Sequence, residues 1–477
     1  MDCTKIIAEK SAMLEKTADK IWNCAETAFT EYDSVKALID ALAAEGFEIK
    51  EKEAGIDTAF SARFGNGKPV IGILGEFDAL SGLSQKAGLN TKDPIVPGGN
   101  GHGCGHHLLG AAGIGAATAI KEYLTKSGKS GTVIYYGCPG EEGGSGKAFM
   151  ARDGVFDGLD AAITWHPADV NAVSAGSTLA NVQVSYKFKG IAAHAAAVPH
   201  LGRSALDAVE LMNVGVNFLR EHVIPEARMH YSITNPGGYS PNVVQAEAEV
   251  LYLLRAPKNS QVQDIYKRVN KIAQGAAMMT ETEVEIDFVK ACSNIIPNNT
   301  LEKVLQHSLE TVPLPKYSRQ DVEFAAKMQD SFENSASTVE KIADKISDPR
   351  LKKKVLEYKD KPLLDMVMPY IPSEEASPGS SDVGDVSWVC PTAQINTVCY
   401  AANTPGHSWQ LVAQGLADTA HKGMLYAARV MADTVIQLYE NPDILRRAKE
   451  EFAARVGDGY KCPIPEGVKP RSIAPKK

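Results

Sequence analysis

The chain has 477 residues, more than one ordinary domain holds, and two or three domains are expected. Apolar residues make up 44% and charged residues 23%, the balance of a soluble globular protein rather than a disordered or fibrous one. A net charge of −8 argues against nucleic acid or an anionic membrane as partner, and no apolar run reaches the ~18–20 residues needed to span a bilayer.

The opening "MDCTKIIAEK" has no apolar h-region, so no secretory leader is expected. Eight cysteines lie scattered without paired spacing, which fits reduced thiols and a cytoplasmic protein. Residues 5–45 read as helical, and "SVKALIDALAAEG" closes on a glycine suited to a helix end. "KPVIGILGEFDAL" (68–80) is a continuous apolar run that turns acidic, as buried parallel strands do where they meet solvent. "LLGAAGIGAATAIKEYL" (108–124) is a small-residue helix. "GTVIYYGCPGEEGGSG" (131–146) reads as a second buried strand ending in acids, and "LDAAITWHP" (159–167) as a third ending in histidine. Strands alternating with helices predict an α/β architecture with a mostly parallel mixed sheet, its chemistry gathered beyond the C-terminal strand ends.

Near residue 180 the texture changes. "LANVQVSYKFKG" and "EAEVLYLLRAP" alternate apolar and polar residues, as strands with one wet face do, and amphipathic helices accompany them. Residues 180–296 are therefore expected to form an α+β domain inserted into a first domain built from 1–179 and 297–477. A charged helical stretch at 319–361 reads as peripheral, and a long helix is expected at 416–440.

The chemistry-bearing residues sit at the predicted strand ends. In "GGNGHGCGHHLLG" (98–110), Cys104 and His106 precede or open a helix, whose N–H groups favour a thiolate over a thiol. Taken alone, the stretch is also open to a buried cysteine beside surface histidines; a cysteine nucleophile has a weaker claim, and a structural zinc knot the weakest because no second CxxC or HxxxH follows. "CPGEEGGSG" supplies adjacent carboxylates, Glu141 and Glu142. Neighbouring side chains diverge, so one can ligate a metal while the other moves a proton, although a solvated acidic turn would look the same. His166 in "TWHP" and His407 in "TPGHSW" complete the set. Single histidines are structural more often than not, but Cys, His, Glu, His and His at successive element ends favour a two-metal site.

The ordered set "GEFDALSGLSQKAG", "NGHGCGHHLLG", "YGCPGEEGGSGKAFM", "GIAAHAAAVPHLGRSALDAV", "PNVVQAEAEVLYLLRAP" and "SSDVGDVSW" resembles the aminoacylase/hippuricase-type dinuclear metallopeptidases, in the branch whose "HxCGH" motif carries a cysteine ligand. The resemblance runs over nearly the whole chain. It implies a zinc-peptidase-like catalytic domain with an inserted dimerisation or lid domain, and a metal-dependent amidohydrolase of N-acyl amino acids. p-Aminobenzoyl-glutamate is the foremost substrate it implies; other aryl-acyl or indole-acetyl conjugates, or a non-catalytic supporting subunit, are the alternatives. Carried over residue by residue, Cys104 would bridge two divalent ions (manganese, or zinc as the alternative). His106 and His166 would complete one position, and Glu142 and His407 the other. Glu141 would be the general base, and Asp78 would orient a ligand. The family's usual His-x-Asp is here Glu76-Phe77-Asp78, and His107 stands where the usual "CGHD" aspartate would be. His194 resembles the histidine that steadies the oxyanion of a neighbouring site, and Asn242 and Arg255 the pair that holds the substrate carboxylate. His200 and Arg203 have weaker claims. A homodimer is implied, with a heteromer containing a homologous subunit also allowed.

Overall fold

The structure, a computed structural model, describes residues 3–333, 337–457 and 459–472. The chain opens with two helices, α1 (Cys3–Cys24) and α2 (Tyr32–Ala44), where the sequence pattern suggests one helical stretch. The break at 25–31 has a local cause. Ala25 and Phe29 adopt left-handed backbone angles, and the Glu26 carboxylate turns forward to accept the N–H groups of Asp33 (3.0 Å) and Ser34 (2.8 Å), which start α2.

Strands β1 (Glu48–Glu51), β2 (Phe60–Asn66) and β3 (Val70–Glu76) lead by a long loop to α3 (His106–Ser127). There follow β4 (Gly131–Cys138), the short helices α4 (Glu141–Gly144) and α5 (Gly146–Arg152), and β5 (Ala161–Ala168), then β6 (Ala172–Val173) and β7 (Ser177–Thr178). The predicted strand 131–146 thus ends at Cys138, and its acids open a helical turn instead of extending the strand. Next come β8 (Ala180–Lys189), α6 (Ala205–Leu219), β9 (Arg228–Asn235), β10 (Glu247–Ala256), α7 (Asn259–Thr280) and β11 (Glu283–Cys292). The remainder is α8 (Asn299–Thr311), α9 (Arg319–Gln329), α10 (Thr338–Asp344), α11 (Pro349–Leu356), β12 (Ala376–Ser377), α12 (Val383–Ser387), β13 (Thr392–Val398), α13 (Trp409–Gln414), α14 (Asp418–Glu440) and α15 (Pro442–Val456).

The main sheet runs β1-β2-β4-β3-β5-β13-β6. Its four central strands, β4, β3, β5 and β13, are mutually parallel, and antiparallel pairs close both sides. The side-chain period of two sorts the strands cleanly. Ile71, Ile73, Val133, Tyr135, Ile163 and Trp165 face one core, under α1, α3, α8 and α14. Leu74, Ile134, Tyr136 and Ala162 face the other. Small residues let α3 press close to the sheet: a Cβ on Gly113 would fall 2.7 Å from the Tyr135 ring, so a larger residue would push the helix away.

Residues 180–292 make a second, wholly antiparallel sheet in the order β11-β8-β10-β9. Along β10 every second residue is buried, which leaves one face against α6 and α7. Its core, including Val184, Tyr186, Val250, Tyr252, Met212 and Val269, continues through α5 into the second face of the main sheet. The stretch 319–361 differs from expectation. Although heavily charged, it is not merely peripheral: Ala325, Met328, Val339, Ala343 and Val355 bury a third apolar cluster with Val398, Ala401, Ala402 and Ala413. Most of its charges lie outward, Asp321 turning inward to Lys422, and its apolar residues face inward, as in an amphipathic helix too short to show a clear period. Among the described residues, no helix is long and apolar enough to cross a membrane.

Candidate metal centre

The parallel strands deliver their C-terminal ends to one edge of the main sheet, and the candidate residues issue from that edge. Two residues beyond β3, the buried Asp78 carboxylate makes two contacts. Oδ1 lies 2.9 Å from His106 Nδ1, and Oδ2 accepts the Glu142 N–H at 2.9 Å. One side chain therefore fixes the first turn of α3 relative to the first turn of α4. Gly105, just ahead of α3, has φ +82°, and a Cβ there would collide with the Tyr400 hydroxyl. This turn sends Cys104 and His106 into the same space.

Cys104 Sγ lies 3.2 Å from His166 Nε2, at the end of β5. The other ring nitrogen of His166 faces the Pro167 carbonyl at 2.8 Å, so Nδ1 carries the proton and Nε2 keeps its lone pair toward the thiol. Asp78 fixes His106 in the same sense. His407 enters from a loop in which its own φ is +51°, its N–H held by the Gly103 carbonyl at 3.0 Å. A non-glycine residue in that region is strained, as is common where a side chain must be aimed. Its Nε2 is 3.4 Å from Glu142 Oε1. Ligand-type atoms thus collect in overlapping groups, Cys104–His106–His166 and Cys104–Glu142–His407, each within 4.8 Å, with Glu76–His106–Glu141 a third.

Two buried atoms among these, His106 Nε2 and Glu142 Oε1, have no hydrogen-bond partner. Glu76 Oε2 is 3.2 Å from His106 Nε2, but the pair is not aligned as a hydrogen bond. Leaving such atoms unpaired costs roughly 1–3 kcal/mol each, so two in one pocket point to a missing electrophile. The donors are a thiol, three imidazoles and a carboxylate, and a divalent cation fits all of them.

The electrostatics divide the group. Burial disfavours charge on Glu142, but the facing His407 imidazole and the charge of His106 outweigh it and bring its carboxyl down to about 2. Burial, reinforced by Glu76, Glu142 and Asp382, pushes Glu141 well above the usual carboxylate range. Burial also opposes charge on His106, yet Cys104, Glu76 and Asp78 hold its pKa high, while burial and His106 lower that of His166. The expectation of a helix-stabilised thiolate is not met by the chain alone. Cys104 precedes the α3 cap, and burial with the Glu142 charge raises its thiol pKa well above normal.

Sequence reasoning missed the groups underneath. Lys147, wholly buried, places its ammonium 2.6 Å from Glu76 Oε1 and 2.6 Å from Asp382 Oδ1, and its own N–H donates to Asp382 Oδ2 at 2.8 Å. Burying an ammonium costs several kcal/mol, which two carboxylates at this range offset. The signal was present: a lysine inside the apolar "GKAFMA" needs a buried counter-charge, and Glu76 ends a buried strand. A register shift between Phe288 and Lys290 in β11 turns the Lys290 ammonium toward the Glu142 carbonyl at 3.3 Å. Glu31, whose carboxyl burial raises to about 8, holds the Gly140 N–H at 2.9 Å and so supports the turn into α4.

The other singled-out residues lie apart from this cluster. His107 turns away and meets the Gly415 carbonyl at 2.9 Å, which makes it a packing residue. His194 and Asn242 are exposed and adjacent on the second sheet's loops, where Ala195 N–H donates to the Asn242 carbonyl at 3.0 Å. Arg255, at the end of β10, donates to Ser380 Oγ at 2.9 Å, two residues from Asp382. His200 is exposed, and Arg203 pairs with Glu281 at 2.7 Å.

Residues 72–356 match the model of peptidase family M20/M25/M40. The chain is 50% identical over 463 residues to a subunit of the p-aminobenzoyl-glutamate hydrolase of Escherichia coli, covering 96% of this chain and 95% of that protein. Among solved structures it resembles an aminobenzoyl-glutamate utilization protein from Klebsiella pneumoniae (TM-score 0.59, 16% identity, 89% of this chain and 98% of that one). It also resembles a Bacillus subtilis protein described as a dinuclear metal-binding peptidase of the M20 family (TM-score 0.54, 17% identity, 90% and 99%). These two likenesses concern the fold. The chain belongs to peptidase family M20/M25/M40 and is a hydrolase of amide bonds.

The double contact of Asp78 has a measurable consequence. In Asp78→Ala, the His106 Nδ1–H and the Glu142 N–H lose their acceptor in a dry interior, and the unfolding free energy is expected to fall by about 2–5 kcal/mol in a denaturant titration. A change below about 1 kcal/mol would show that neither donor depends on Asp78.

Proposed function

We propose, from the premise of this family membership, that the chain hydrolyses N-acyl amino acids, foremost p-aminobenzoyl-glutamate to p-aminobenzoate and glutamate. The observation that carries the reading is the pair of ligand triads sharing Cys104, with His106 Nε2 and Glu142 Oε1 left unpaired between them. Cys104, His106 and His166 would hold one divalent ion, and Cys104, Glu142 and His407 the other. When bound, the ions supply Lewis-acid polarisation of the scissile carbonyl and make a nearby water more acidic. Manganese is the first expectation from the resemblance; the thiol also suits zinc. The substrate comes from the identity to the E. coli relative, which is named for it.

The chain's own groups then divide the work. Glu141, next to the Glu142 carboxylate but pointing elsewhere, takes a proton from the attacking water at its carboxylate. It holds the proton until the leaving amine nitrogen takes it as the C–N bond breaks. His194 donates from Nε2 to the developing oxyanion. Its Nδ1 accepts the N–H groups of Ala196 and Ala197 at 3.2 Å each, which leaves the proton on the outward nitrogen. Arg255 would clamp the substrate's free carboxylate together with Asn242 brought, like His194, from the other chain of a dimer, since the two stand at opposite ends of β10; Arg255 Nε is buried and unpaired, ready for an anion.

Residues 1–179 and 297–477 would form the catalytic domain, and 180–296 the dimerisation and lid domain. A homodimer through that domain is supported by its surface. β9 is an uncovered sheet edge, and Leu211, Val214 and Phe218 expose 38%, 51% and 70% of their area along one side of α6. The E. coli relative is named as one subunit of its hydrolase, so pairing with a homologous chain is also compatible with this surface. Eight unbridged cysteines favour a reducing compartment, the cytoplasm.

Glu141→Gln should keep its bound metal by elemental analysis while hydrolysis of p-aminobenzoyl-glutamate falls by about 10²–10⁴-fold. A metal-free variant would overturn the base assignment. To test sharing, inactive Glu141→Gln and His194→Ala proteins are dissociated, mixed and reassociated. If His194 acts across the interface, each mixed dimer has one intact site, and roughly a quarter of wild-type activity returns, because random pairing makes about half the dimers mixed. No recovery from demonstrated mixed dimers would contradict a shared site.

A further inference from the structure

His407 stands on a short irregular loop, and two of its backbone positions, Asn403 (φ +67°) and His407 (φ +51°), are left-handed. Side chains other than glycine hold such angles only where their surroundings force them. The Gly103 carbonyl holds the His407 N–H from within the site, and a second set of contacts comes from α9, α10 and the residues beside them. Gln329, the last residue of α9, donates to the Ala402 carbonyl at 3.0 Å. Thr338, the first residue of α10, donates its N–H to Asn403 Oδ1 at 2.8 Å. Its hydroxyl and the Asn403 N–H converge on one oxygen of Asp169, at 2.6 and 2.7 Å. On the far side of His407, Gln410 donates to the Ser331 carbonyl at 3.1 Å. Beneath these bonds, Ala401, Ala402 and Ala413 pack against Ala325, Met328, Val339 and Ala343 of the two helices. The loop is thus gripped on both sides of His407 by a segment about 70 residues earlier in the chain, and no residue of that segment is among the ligand-type atoms.

We infer that the charged helical segment α9–α10 is a positioning element for His407, with Thr338 and Asn403 as its linchpin, and that it governs one of the two cation positions and not the other. This rests on the metal reading given above. His106 and His166 stand on α3 and β5, packed in the main core, whereas His407 stands on the gripped loop itself, so the position completed by Glu142 and His407 is the one the grip governs. The unequal exposure of the ligands fits this: the His407 side chain is 58% exposed and has little packing of its own, whereas His106 is wholly buried.

The test uses the full chain and the variant pair Thr338→Val with Asn403→Gly. The valine keeps the backbone N–H and shape of Thr338 but loses the hydroxyl. The glycine keeps the left-handed backbone of Asn403 but loses the acceptor. Hydrogen exchange on metal-free protein and calorimetric titration with manganese are compared in wild type, the double variant, His407→Ala and the combination. The expected result is exchange at 401–410 at least tenfold faster, with 106–118 unchanged. One manganese should weaken at least tenfold while the other stays within twofold. The loss should not add to that of His407→Ala, because both act through one side chain. Unchanged exchange at 401–410 would overturn the grip. Faster exchange with both cations weakened alike, with neither weakened, or with additive losses would overturn the positioning of His407. A wild type that takes up fewer than two manganese ions overturns the metal reading, and the inference with it.

Discussion

A single carboxylate, Asp78, sets the geometry on which the site depends. It stands just past β3 and ties His106 at the start of α3 to the Glu142 backbone at the start of α4. These two helical turns follow different strands, and Asp78 is the side chain that joins them directly. With both donors held, His106 must present Nε2, and the backbone that carries Glu142 is fixed beside it. A charged acceptor serves here better than an amide, because both of its oxygens accept and each bond is charge-assisted.

Charge balance is the second constraint. Glu76, Asp78, Glu141, Glu142 and Asp382 lie in one dry region, with Lys147 as the buried ammonium among them. That ammonium holds Glu76 to itself, and so keeps one carboxylate oxygen off His106. The same shortage of positive charge raises the Glu141 and Cys104 proton affinities. Divalent cations in the proposed positions would relieve it. The thiol would give up its proton, as thiols do on metals, and His106 and Glu142 would gain the partner they lack.

Much of this was readable from the sequence, for a physical reason. Glu142 and His166 lie where a buried apolar strand breaks at glycine or proline, and Cys104, His106 and His407 lie in glycine- and proline-marked turns that lead into helices; such breaks are legible whatever the rest of the chain does. What escaped was long-range or cryptic. Glu26 capping α2 splits a stretch that periodicity reads as continuous. The Lys290 contact depends on a bulge that no local pattern announces. The helices at 319–361 look like a solvated surface because their apolar residues, Ala325, Met328, Val339, Ala343 and Val355 among them, are scattered among charges over short helices, although they pack closely against the His407 loop. The partners of His194 and Arg255 depend on the arrangement of two sheets, beyond the reach of spacing arguments.

The proposal turns on a cysteine sulfur shared between two cations, and electronic spectra of the cobalt-substituted protein test it most directly. Titration with cobalt(II) should give a sulfur-to-metal charge-transfer band that grows with the first equivalent and shifts with the second, and that is absent in Cys104→Ser of unchanged fold. A wild-type spectrum without that band, or one that persists in Cys104→Ser, would contradict the shared thiolate and with it the two-cation site.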